Sequence, residues 1–306
     1  MITFLFGAGA SYGSGKTAPY NPPLGNYLYD NLVSLNGSFG KLPNESHEVF
    51  KQQGFEAGMA TLSNDSQILN PLQKEIACYL SKFQVTPENA YVRLFNKIHR
   101  LMPQINIVTL NYDTLIEQAI ATVGYSVDYN GTEEGITVLK PHGSSNFLPK
   151  IPSGCSLGGS IVAVDCEGII DGLPTDAVCT SQEVVQWCND PRNSNISPAL
   201  SMYEKGKRVL VNSGLIDNIQ KQYSNVVANS KFIVVVGTKY IEHDIHIWQA
   251  IEESGAKLLI VDPYPQDTIN WLSKINRSNA EVINFGFEDS VWEIAKRVKR
   301  FADKVA

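Results

Sequence analysis

The chain has few of the features that staple small secreted domains or coat polyanions. Its five cysteines (Cys78, Cys155, Cys166, Cys179 and Cys188) are odd in number, and no C-x-x-C pair occurs among them. That spacing argues against a zinc ribbon and fits a reducing compartment. No apolar run approaches the ~20 residues of a membrane span. The N-terminus opens on strand-like MITFLF without the long apolar stretch and cleavage site of a secretory signal, so a cytoplasmic location is expected. Lys and Arg number 25 against 31 Asp and Glu, a net charge of −6. That balance disfavours a nucleic-acid-coating surface, and neither direct nucleic-acid binding nor a membrane role is expected. Internal repeats and low-complexity tracts are absent too.

Against those absences stand five segments that each end a hydrophobic strand in glycine or polar residues. They are ITFLFGAGAS (2–11), INIVTLNYD (105–113), TVLKPHGS (137–144), FIVVVGT (232–238) and KLLIVD (257–262). Short apolar runs bounded by turn residues read as buried strands of a parallel sheet. With 43% hydrophobic and 18% charged residues, the chain can bury one large core. The expected fold is α/β: a Rossmann-like, doubly wound, mostly parallel sheet, with residues 1–306 forming a single domain.

Two insertions interrupt it. Helical spacing at 24–35, 66–83 and 88–102, the last stopped by Pro103, marks residues 24–102 as a helical insertion longer than a simple crossover needs. Residues 145–205, dense in Gly, Pro, Ser and Asn, read as a loop-rich second insertion of small strands and turns. Further strands are expected at 208–211 and 281–285, and a closing amphipathic helix at 288–304.

The strand ends of such a sheet converge on one crevice, so Asn111 and His142 are candidates to face one ligand. Gly7, Ala8, Gly9, Ala10 and Ser11 form a glycine-rich turn after the first strand, expected to be a loop whose backbone N–H groups can approach a pyrophosphate. Alone this is a weak signal. Gly13 to Thr17 imitates the end of a G-x-x-x-x-G-K-S/T loop, but position 10 is alanine and prolines follow at 19, 22 and 23. Residues 14–21 therefore read as a mobile cover, with Lys16 a candidate phosphate contact. Asp113 is placed to cap a helix whose inner face is Leu115, Ile116, Ala119, Ile120 and Val123. Asp262 could bind ribose hydroxyls or serve as a turn residue, and the two readings stand level. His47, His99 and His246 carry no signal beyond ordinary surface or core histidines, and His243-x-x-His246 lacks the further ligands of a metal site.

In this order the segments resemble the SIR2 (sirtuin-like) family, in particular its bacterial NAD hydrolases of antiphage defence. Residues 7–11 match the G-A-G-x-S loop that wraps NAD in that family. Asn111-Tyr112-Asp113 matches its N-x-D element, with the asparagine on the nicotinamide-ribose side. His142-Gly143 matches the H-G dipeptide carrying the active-site histidine, and Gly237-Thr238 the G-T/G-S element lining phosphate and ribose. The chain lacks the paired C-x-x-C motifs and the G-I-P-D-F-R stretch of deacylating sirtuins. The resemblance implies NAD as substrate, no metal, and cleavage of the nicotinamide–ribose bond by Asn111 and His142. It further implies a homo-oligomer, or a defence partner such as a HerA-type ATPase or an Argonaute-like protein. A protein deacylase, an ADP-ribosyltransferase and a non-catalytic NAD or ADP-ribose sensor are the alternatives.

Overall fold

A computed structural model describes residues 1–62, 66–132, 134–152, 170–201, 211–242 and 244–305. Strand β1 (Ile2–Phe6) runs into the five-residue helix α1 (Ala8–Tyr12), followed by β2 (Thr17–Ala18). The helical insertion holds α2 (Gly25–Ser34), α3 (Asn44–Gln53), α4 (Phe55–Thr61) and α5 (Ser66–Ser81), then β3 (Gln84–Val85) and α6 (Ala90–Lys97). The sheet resumes with β4 (Ile105–Thr109), α7 (Leu115–Thr122), β5 (Val127–Asp128) and β6 (Ile136–Leu139). The second insertion carries β7 (Phe147–Pro149), β8 (Thr175–Ala177) and α8 (Ser181–Asn189). The chain closes with α9 (Ser213–Ala228), β9 (Phe232–Val236), α10 (Ile245–Glu253), β10 (Lys257–Val261), α11 (Gln266–Lys274), β11 (Ala280–Ile283) and α12 (Phe287–Val305).

Seven strands form one sheet in the order β11-β10-β9-β1-β4-β6-β5, every pair parallel. From β1 the chain moves outward one way through β4, then returns to lay β9 on the other side of β1. The direction of winding therefore reverses between β1 and β9, which is where a doubly wound sheet opens a crevice at its C-terminal edge.

Strand β1 shows why the sheet sits at the centre. All five residues are buried, and alternate side chains enter different cores: Phe4 and Phe6 pack with the helical insertion and α12, Leu5 with Val108, Val235 and Ile260 on the opposite face. Each phenylalanine buried this way contributes roughly 1.5–3 kcal/mol. Among the described residues no helix is long and apolar enough to cross a membrane.

Four local expectations need correction. Residues 8–12 are helical rather than loop, because the Gly7 turn lets the chain coil directly off β1 despite the low helix propensity of glycine. The 14–18 part of the expected mobile cover is pinned: fully buried Asn89 donates through Nδ2 to Ser14 Oγ (2.9 Å), Gly15 O (2.7 Å) and Thr17 Oγ1 (3.1 Å), while β2 pairs with β3. Pro103 does not stop the 88–102 helix, since α6 already ends at Lys97 and Pro103 lies inside a 3-10 turn, His99–Gln104. Helix α8 stands within the supposedly loop-rich insertion, opened by a capping box between Thr180 and Glu183. Residues 208–210 of the strand expected at 208–211 lie outside the described residues; Val211 forms a parallel bridge with Ile170.

Candidate functional site

At the β1–β9 switch the two following turns touch backbone to backbone. Gly7 N–H donates to Val236 O (3.0 Å) and Gly9 N–H to Gly237 O (2.9 Å). A Cβ on Gly7 or Gly9 would fall 2.7 or 2.8 Å from Gly237 O. Glycine at 7 and 9 is thus required by the neighbouring turn, and the Gly9 amide is already committed to it. Gly237 itself adopts φ +61°, a conformation that favours glycine. Ala8 and Ala10 lie in α1, with Ala10 buried, and Thr238 lies directly over Gly7.

Asn111 follows β4 at the same edge and is only 6% exposed. Its Nδ2 donates to Gly7 O (3.0 Å) and Ser11 Oγ (2.8 Å). A carbonyl can only accept, so this contact fixes which end of the amide is the nitrogen. The opposite atom, Oδ1, is buried and lacks a partner among the described residues. Thr238 Oγ1, across the 7–11 turn, is a second buried oxygen in that condition. Unsatisfied buried polar atoms are costly, about 1–3 kcal/mol each, and two beside one crevice fit a polar ligand.

Behind Asn111, Asp113 Oδ1 accepts from Leu115 N–H (3.1 Å) and so caps α7 as expected. Burial pushes its carboxyl above the usual range, against the pull of nearby Lys140. Fully buried Lys140 donates to Asp113 O (2.6 Å) and Glu117 Oε1 (2.8 Å), tying the turn after β4 to the turn after β6. Ser145 adds to the link, its N–H donating to Tyr112 O at 2.9 Å.

His142 sits on that second turn, 8% exposed, with Gly143 next to it at φ +77°. Residues 199–201 clamp the turn: Ser144 N–H donates to Ala199 O (3.1 Å) and Ser201 N–H to His142 O (2.9 Å). The second insertion therefore shapes the site through residues 199–201. His142 Nε2 lies 3.1 Å from His246 Nε2, in the first turn of α10. Burial, then the neighbouring His246, push His142 down to about 3. His246 is the residue that sequence reasoning passed over. Its one sequence signal was position, a few residues past the Gly237-Thr238 strand end.

Asp262 directly follows β10, and its Oδ1 accepts from Tyr264 N–H at 2.8 Å, so the turn role is realised. His243, Cys155 and Cys166 lie outside the described residues. Among the described residues no three His, Cys, Asp or Glu gather in a group able to hold a metal ion.

The sequence matches no protein-family model and no curated protein. Its fold does have solved counterparts. A Sir2 homolog–NAD complex superposes with a TM-score of 0.50 at 15% identity, covering 98% of this chain and 89% of that one. The fold is that of the Sir2 homologues. A Sir2 homologue mutant bound to ADP-ribose gives 0.49 at 14% identity over 99% and 93% of the two chains. Sir2 with an inhibitor, 2′-O-acetyl-ADP-ribose and a deacetylated p53 peptide gives 0.47 at 16% identity over 99% and 94%. On this Sir2 fold the β1–β9 switch, the Asn111 turn and the His142 turn share one sheet edge.

Proposed function

We propose that the chain binds NAD in the β1–β9 crevice and hydrolyses it to nicotinamide and ADP-ribose. The observation that carries this reading is the pair of unpartnered buried oxygens, Asn111 Oδ1 and Thr238 Oγ1, flanking the 7–11 turn at the edge that also holds His142. The NAD-bound Sir2 homolog of the same fold supports it. Gly7 to Ser11, Gly143, Gly237 and Thr238 would line the dinucleotide, and Asp113 would hold the Asn111 turn.

Breaking the nicotinamide–ribose bond builds positive charge at the anomeric carbon while nicotinamide leaves as a neutral molecule. A carbonyl dipole held with its negative end toward that carbon stabilises the charge. Asn111 suits this, because two hydrogen bonds fix its Nδ2 and leave Oδ1 to orient the nicotinamide ribose and the attacking water. His142 is neutral at ordinary pH, so it adds no repulsive charge and can accept a hydrogen bond from a ribose hydroxyl or a proton from the water. An NAD-depleting role in antiphage defence, as a homo-oligomer or with a partner chain, is the biological extension of this reading.

The test is nicotinamide release from NAD with no acceptor present. Asn111→Ala and His142→Ala are each expected to slow it by ~10²–10⁴-fold. Both residues are buried, so each substitution also bears on folding. Asn111→Ala removes the Nδ2 bonds to Gly7 O and Ser11 Oγ, at a cost of about 0.5–1.5 kcal/mol each, while Gly7 O keeps the Ala10 N–H, so each variant's melting temperature is measured beside its rate. Undiminished hydrolysis by both folded variants would remove these residues from the mechanism.

A further inference from the structure

His246 belongs to none of the motifs that pointed to the site, yet its Nε2 meets that of His142 at 3.1 Å. The ring centroids lie 5.3 Å apart with planes inclined by 40°. Two imidazole nitrogens at this separation need one hydrogen between them, so one Nε2 is protonated and the other bare. Helix α9 braces both carriers: Gln220 Nε2 donates to Pro141 O (3.1 Å), and Tyr223 OH donates to Ile247 O (2.8 Å). Each ring is thus anchored through a backbone neighbour, and the pairing is built into the fold.

We propose that His246 is the positioning residue of this site, holding the His142 ring in register, fixing which of its nitrogens carries hydrogen, and sharing the single proton that the pair accepts. The catalytic part of this role rests on the NAD-cleavage reading; the ring-state part stands without it. In that reaction the C1′–N bond breaks with its electron pair passing to the nicotinamide nitrogen. The C1′–O bond forms from water, and the water's proton goes to the histidine pair and then to solvent. NAD+ and water give nicotinamide, ADP-ribose and one proton, with no other reactant.

Burial lowers both rings, His142 to about 3 with His246 as its second cause, and His246 to about 4. Among the described residues, the titratable groups on the surrounding elements are Lys140 before the His142 turn, bonded to Asp113 and Glu117; Asp217, Lys221 and Tyr223 on α9, the last bonded to Ile247; and Asp244 at the start of α10, with Glu252 and Glu253 further along it. Two imidazolium rings facing at this distance repel, so the pair titrates as a unit and binds one proton before the other.

The test uses the full chain with His246→Asn and His246→Gln, two neutral replacements so that a folding defect in one does not decide the outcome. Histidine ring NMR on NAD-free protein reads the His142 protonation midpoint and tautomer. Loss of the like-charged neighbour is expected to raise that midpoint by roughly one unit. In NAD hydrolysis, kcat is expected to fall ~10-fold or more with KM changed by about twofold at most, and the acid limb of kcat to move to higher pH. An unmoved His142 midpoint and tautomer in both variants overturns the proposal. A wild type that releases no nicotinamide refutes the NAD-cleavage reading instead, and the ring-state measurement then decides the histidine pair alone.

Discussion

Gly237→Ala tests whether the two turns at the β1–β9 switch are locked together. Gly237 adopts φ +61°, which for an alanine costs roughly 1–2 kcal/mol. A Cβ there would lie 2.8 Å from the Ala10 Cα and nearer still to the Ala10 nitrogen and the Gly9 carbonyl carbon. Carbon atoms settle at about 3.5–4.0 Å, so the turns must part by about 1 Å or the strands must twist. Overpacking of that kind costs about 1–3 kcal/mol. Parting also weakens the Gly9 N–H to Gly237 O bond at 2.9 Å, a net contribution near 1 kcal/mol. The expected loss is about 3–6 kcal/mol, read from the urea midpoint at unchanged slope. Gly255→Ala is the control, since nothing lies within 4 Å of its Cβ position, and it should stay within about 0.5 kcal/mol of wild type. A Gly237→Ala protein as stable as that control would refute the argument that these glycines exist for turn-to-turn contact.

Acid should destabilise the protein through the histidine pair. Both folded values, about 3 and about 4, lie below the ordinary 6.5, so the unfolded chain binds more protons between them. The stability present above pH 6.5 is lost as pH falls, by roughly 2 kcal/mol per ring at pH 5. Urea midpoints at pH 7 and pH 5 should therefore fall more for wild type than for a His142→Gln/His246→Gln double variant, a comparison in which the raised Asp113 carboxyl cancels. Equal falls would contradict it. Asn89→Ala should cost about 2–4 kcal/mol, because it removes the helix cap on α6 and the donors that pin residues 14–17. Proteolysis should then cut residues 14–21 sooner, and an unchanged cleavage rate would show that the segment is held by something else.

The strands were legible because each is a short apolar run ended by glycine or a polar residue, and parallel pairing brings every such end to one edge. That rule alone put Asn111 and His142 on a common edge. Helix α1 was not legible: its five residues, Ala8 to Tyr12, are too few to show a helical period, and only its launch from β1 decides its conformation. Helix α8 was legible in principle, since Thr180 and Glu183 stand at capping-box spacing ahead of Val184, but the surrounding turn residues masked it. The glycines of residues 7–11 read in the sequence as room for a pyrophosphate; the close approach of the Gly237 backbone is a second demand on Gly7 and Gly9 that no sequence pattern announces. His246 could not have been paired with His142 from sequence, because the contact depends on how α10 folds back after β9, 104 residues along the chain.

The central claim is that NAD lies across the β1–β9 switch, and a crystal structure of the protein with NAD or ADP-ribose tests it most directly. The account predicts the pyrophosphate against residues 7–11 and 237–238, and the nicotinamide ribose within hydrogen-bond reach of Asn111 Oδ1 and the His142 ring. A dinucleotide bound instead beside Lys16 and Thr17, with Asn111 Oδ1 and Thr238 Oγ1 still lacking partners, would contradict it.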